Sequence, residues 1–82
     1  MPYIKPERRI WLDRVVQFLK TIDIKADGDL NYILYKYCKY YIKPSYNNYK
    51  NYLGELQRAI TEIERRILAP YEDEKIQENG DI

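Results

Sequence analysis

Lys36, Lys39 and Lys43 recur at spacings of three and four residues among Tyr32, Tyr35 and Tyr40. On a helix that spacing gathers the ammonium groups and phenol rings along one side. A ring offers a flat surface for a base or sugar, and a lysine offers charge to a phosphate. Tyrosine suits a protein interface equally well, because its apolar ring ends in a hydrogen-bonding hydroxyl. The surrounding stretch, Asn31 to Tyr52, concentrates the pattern. Its 22 residues hold eight tyrosines, four lysines and four asparagines, with no aspartate or glutamate. Such a segment points to an interface or an anionic ligand before a catalytic centre. An ordinary solvated surface, or compositional bias of the source genome, produces the same pattern.

Catalytic chemistry is poorly provided for. The chain has no histidine, the commonest general base and metal ligand. Cys38 alone cannot build a thiolate zinc site, and no imidazole is present to activate it. Besides the tyrosines, the hydroxyl nucleophiles are Thr21, Ser45 and Thr61, and Ser45 is better explained as a helix cap. Gly28, Gly54 and Gly80 are isolated, so no phosphate-cradling glycine loop exists. Glu55 and Glu62 share a helix face, and a carboxylate pair can hold a hard metal or move protons. Arg58 lies one turn from both, however, and Arg65 and Arg66 follow Glu62 by one turn. That face reads as an ion-pair lattice. We expect no catalytic residue, no metal site and no cofactor. Arg58, Arg65 and Arg66 can extend an anion site, since guanidinium grips phosphate in a bidentate way.

At 82 residues the chain makes one domain, which buries only roughly 60–65% of its unfolded surface. So small a core has little margin alone, and homo-oligomerisation is the natural supplement. Net charge is +1, unevenly spread. Residues 1–69 carry 13 basic and 8 acidic side chains, or +5, whereas residues 70–82 carry one lysine and five acids, or −4. The acidic tail can screen a mildly basic body. A lone cysteine permits no internal disulfide, which favours a reducing compartment. No apolar run approaches the ~20 residues of a membrane span, and Met1 to Lys5 lacks the apolar stretch of a signal peptide. A cytoplasmic protein without membrane contact is expected.

Three helices must position these residues. Pro6 suits the first turn of a helix over 6–21, whose residues Trp11, Leu12, Val15, Val16, Phe18, Leu19 and Ile22 cover a wide apolar arc. Asp23 to Gly28 reads as a polar link. Asp29 is placed to cap a second helix over 29–43, with Leu30, Ile33, Leu34, Tyr37, Cys38 and Tyr41 on its apolar side. Its other side carries Tyr32, Lys36, Lys39 and Lys43, flanked by Tyr35 and Tyr40, and Pro44 ends it. Ser45 is the natural cap of a third helix over 45–68. There Tyr49, Leu53, Leu56, Ile60, Ile63 and Ile67 follow spacings of 4, 3, 4, 3 and 4. That is about two and a half heptads, shorter than a coiled coil ordinarily requires, so a central bundle helix is the alternative. Gly54 interrupts it at roughly 1 kcal/mol relative to alanine, which a close approach of another backbone or a ligand would justify. After Pro70 the acidic segment 70–82 makes a short helix stopped at Asn79-Gly80, or a flexible tail.

Several blocks together have a familiar look: Met1-Pro2-Tyr3-Ile4-Lys5, Gly28-Asp29-Leu30-Asn31-Tyr32-Ile33, Arg65-Arg66, and Ala69-Pro70-Tyr71-Glu72-Asp73 continuing through Lys75-Ile76 to Glu78-Asn79-Gly80-Asp81. Over nearly its full length the chain resembles a family of short uncharacterised proteins of bacteria and their phages. Gly54-Glu55 also falls where similar proteins carry a glycine in the third helix. The segment from Tyr35 to Lys50 departs from that pattern by its tyrosine content. The resemblance supplies no activity. It directs attention to Asn31, Tyr32, Arg65, Arg66, Tyr71, Glu72, Asp73, Asn79 and Asp81, where Arg65 or Arg66 pairing with Glu72 or Asp73 would pin the tail.

The reading is an all-α, three-helix bundle-like domain with a short C-terminal helix or tail, assembled as a homo-oligomer. It is non-enzymatic. Its ligand-binding candidates are Asn31, Tyr32, Tyr35, Lys36, Lys39, Tyr40, Lys43, Arg58, Arg65, Arg66 and Tyr71. The expected partners are a second copy, a nucleotide or other small anion, or a host protein to be blocked, as a phage or mobile-element protein would do. A nucleic-acid-binding accessory protein and a purely structural assembly module are the alternatives.

Overall fold

The computed structural model describes residues 4–81, so the Met1-Pro2-Tyr3 opening lies outside the described residues. The fold is all-α, with no strand among the described residues. The described residues divide into two helical units, 4–44 and 45–81.

The first unit contains α1, Pro6–Thr21, and α2, Gly28–Tyr41. Proline costs α1 nothing at its start, because the first amides of a helix have no intrahelical acceptor. The Lys5 carbonyl takes the amides of Arg8 and Arg9 at 3.0 and 3.2 Å. Glu7 in the first turn and Lys20 in the last both complement the helix dipole. α1 then closes with a backbone motif that ordinarily uses glycine. Asp23 adopts φ 54°, donating its amide to the Lys20 carbonyl at 3.0 Å, and the Ile24 amide reaches back to Leu19 at 3.1 Å. This pair of bonds satisfies two of the orphan carbonyls that end every helix.

α2 begins differently from expectation. Its cap is Asp27, whose carboxylate accepts from the Asp29 amide at 3.4 Å. Asp29 lies inside the first turn, and its own carboxylate accepts from the Lys25 amide at 3.2 Å. Two aspartates two residues apart thus share the work assigned to one. The helix also stops early. Ile42 is already extended at ψ 123°, its amide held by the Cys38 carbonyl at 3.3 Å. Lys43 is disfavoured from helix by the following Pro44.

The second unit is one continuous helical run. Ser45 caps α3, Tyr46–Ile63, by accepting from the Asn48 amide at 3.0 Å. A five-residue π-turn, Glu64–Leu68, follows, and then α4, Ala69–Asn79. Pro70 therefore does not end the helix. Proline has no amide to donate and crowds the carbonyl four residues back. The chain meets this by widening one turn, with the Ala69 amide bonding the Glu64 carbonyl five residues away. Gly80 stops α4 at φ 82°, where its missing Cβ matters, and its amide bonds Ile76 at 2.8 Å. The segment after Pro70 is thus helical to Asn79.

No described residue of either unit is buried. Many apolar residues of α1 and of the α3 seam are more than half exposed, Trp11, Val16, Phe18, Leu53 and Ile67 among them, whereas Leu19 and Leu56 are partly covered.

Candidate functional site

The tyrosine–lysine strip of α2 forms from the helical spacing itself. Lys36 lies one turn beyond Tyr32 and one turn before Tyr40, so its chain passes both rings. The Lys36 Nζ donates to the Tyr32 hydroxyl at 3.0 Å. It stands 5.3 Å from the Tyr32 ring centroid and 5.9 Å from that of Tyr40. Lys39 repeats the arrangement at 6.0 Å from the Tyr35 centroid and 5.6 Å from that of Tyr40. Tyr40 is thereby shared by two ammonium groups. The electron-rich ring faces attract both cations.

Electrostatics follow the geometry. The bond to the Tyr32 hydroxyl raises the Lys36 ammonium above its ordinary pKa, so this lysine stays charged well beyond neutrality. The rings remain open to solvent, with Tyr32, Tyr35 and Tyr40 exposed by 61, 64 and 62%. Positive charge and flat aromatic surface are thus held side by side on one rigid element. Such a strip can receive an anion together with a stacked ring.

The other predicted residues are arranged as follows. Asn31 sits at the start of α2, its amide bonded to the Asp27 carbonyl at 3.1 Å and its side chain exposed. Lys43 is a correction. With α2 ended at Tyr41, it belongs to the connector and does not extend the helical face. In the second unit Arg58 faces Glu55 at 4.0 Å, both largely exposed. Arg65 forks onto both oxygens of Glu62 at 3.2 Å, and Arg66 reaches the same carboxylate at 3.8 Å. These guanidiniums converge on Glu62, one turn upstream, where the sequence suggested a tail carboxylate for one of them. Tyr71 carries the Lys75 ammonium over its ring at 5.5 Å, and Lys75 also meets Glu78 at 3.1 Å.

Two further features lie outside the sequence-based expectations. Arg14 packs over the Trp11 ring at 4.5 Å, a contact that the three-residue spacing signals but that the apolar reading of Trp11 obscured. The second is the π-turn, for which Pro70 is the visible cause. Beside it, Glu62, Ile63, Arg66 and Ile67 line an open groove of about 300 Å³.

The whole chain, residues 1–82, matches the family described as Domain of unknown function (DUF6899), and it belongs to that family. No curated protein and no solved structure matches it.

Proposed function

Starting from a family with no assigned activity, we propose that this chain is a non-enzymatic, self-associating binding protein. Its contact surface is the strip of Tyr32, Tyr35, Lys36, Lys39 and Tyr40, and its ligand is a small anion carrying an aromatic ring, a nucleotide foremost. Sequestering such a ligand, or blocking a host protein, is the task we assign it, as a phage or mobile-element protein of the cytoplasm.

One observation carries the reading. Two lysines are held over three exposed tyrosine rings, by three contacts across one helical turn and one between neighbours. A preorganised surface loses less side-chain entropy when it binds, so more of the interaction energy appears as affinity. The arginines are weaker candidates, because Arg65 and Arg66 already share the Glu62 carboxylate.

Titration of the full chain with adenosine triphosphate, followed by tyrosine fluorescence, tests the reading. Lys36→Glu/Lys39→Glu should weaken binding by roughly tenfold or more, since each lysine contributes a charge-assisted contact. Equal responses from the wild type and the double variant would remove the strip from the function. Affinity for a DNA or RNA oligonucleotide falling steeply with salt would favour the nucleic-acid alternative.

A further inference from the structure

We propose that α3 pairs with α3 of a second copy of this chain, antiparallel, about a two-fold axis level with Arg58. The inference gives geometry to the self-association in the function proposed above and does not depend on the α2 strip.

The seam is longer than its sequence spacing suggests. Tyr46, Leu53, Ile60 and Ile67 repeat every seven residues, and so do Tyr49, Leu56 and Ile63. The next place in the second series falls on Pro70. The π-turn absorbs one extra residue at that point, shifting the register by one, and Tyr71 takes the place instead. A widened turn thus extends an apolar seam past a proline. The result is eight positions over three and a half heptads, within the length at which paired helices become self-sufficient. None of the eight is buried.

Reversed on itself, the seam matches. Tyr46 meets Tyr71, Tyr49 meets Ile67, Leu53 meets Ile63, and Leu56 meets Ile60. Aromatic residues fall at both ends and branched aliphatics in the middle, so the layers are filled evenly. The residues flanking the seam decide orientation, because flanking charges set how paired helices align. Antiparallel pairing sets Lys50 opposite Glu64 and Tyr52 opposite Arg66, each twice, while Gln57 and Ala59 each face their own copy near the axis. Parallel pairing sets Lys50 against Ser45, Tyr52 against Gln57 and Ala59 against Glu64, and its one charge match is Arg66 with Glu72, where Arg66 already meets Glu62 in its own helix.

Charge within the chain points the same way. Arg58 and Arg65, which lie away from the seam, have carboxylate partners in their own helix. Lys50 and Glu64, which flank it, have no ion pair among the described residues. The open groove of Glu62, Ile63, Arg66 and Ile67 lies level with Tyr52 of the second copy, whose ring fits beside the Arg66 guanidinium.

Sedimentation velocity on the full chain tests this. The wild type should be a dimer, and Lys50→Glu and Glu64→Lys should each weaken it by roughly tenfold by opposing like charges at two sites. Lys50→Glu/Glu64→Lys should restore it to within about twofold of wild type. Fourteen residues separate the two positions along the helix, so rescue requires contact between copies. Under oxidation Cys38→Ser/Ala59→Cys should form a disulfide dimer, and Cys38→Ser/Tyr46→Cys should not. A monomer at all concentrations, with the seam covered by the chain's own α1, would overturn the pairing. So would a dimer that the double exchange fails to rescue, or crosslinking at position 46, the mark of parallel helices.

Discussion

Lys36 donates to the hydroxyl of Tyr32, one helical turn before it, at 3.0 Å, and the bond raises the lysine's pKa above its ordinary value. The hydroxyl oxygen accepts from the charged amine, so folding favours the protonated form. A group whose pKa rises on folding adds stability in full below its unfolded pKa, here 10.5, and loses it as pH climbs through the folded value. Tyr32→Phe should lower the Lys36 pKa toward its ordinary value. A side-chain NMR titration above pH 9 reads it, and an unmoved Lys36 would show that the bond does not persist in solution.

Asp23 occupies a left-handed backbone position that glycine fills without steric cost. Asp23→Gly should therefore raise stability by about 0.5–1 kcal/mol, after a small loss from the exposed ion pair with Lys25. Thermal unfolding measures it. A fall in the midpoint would mean that the Lys25 contact outweighs the backbone strain.

A methyl group added at Gly54 meets nothing within 4 Å. Gly54→Ala should then strengthen α3 by roughly the 1 kcal/mol difference in helix propensity. Gly54 also lies beside the seam, not in it, so the variant should dimerise like the wild type. Weakened association would instead identify the glycine as a point of close backbone approach.

Pro70→Ala separates helix stability from register. Alanine restores an amide donor and removes the ring clash, so the run should gain as much as about 3 kcal/mol of helical preference. Without a reason for the π-turn, Tyr71 leaves the seam. Helicity by circular dichroism should rise while the dimer weakens; a rise in both would separate the π-turn from self-association.

Much of this was legible in the sequence, and the departures have local physical causes. The Tyr32–Lys36–Tyr40 ladder follows from four-residue spacing alone, as do the pairs that Arg65 and Arg66 make with Glu62. Ser45 and Gly80 act as cap and stop because side-chain oxygen and positive φ are properties of single residues. Three candidate capping or linking residues, Asp27, Gly28 and Asp29, stand together, and choosing among them depends on where Lys25 and its amide lie. Helical periodicity runs on to Lys43 because it carries no record of the extended backbone at Ile42. Pro70 signals a break through its usual local effect, whereas a long helix can widen a single turn and continue.

Self-association and an anionic ligand held on α2 are the two proposed properties that one experiment can test together. Native mass spectrometry of the full-length protein, purified from cells at low salt, reports both properties in one spectrum. The predicted result is a dimer with a small anionic adduct, which Lys36→Glu/Lys39→Glu loses while remaining a dimer. A bare monomer from both proteins would contradict the account.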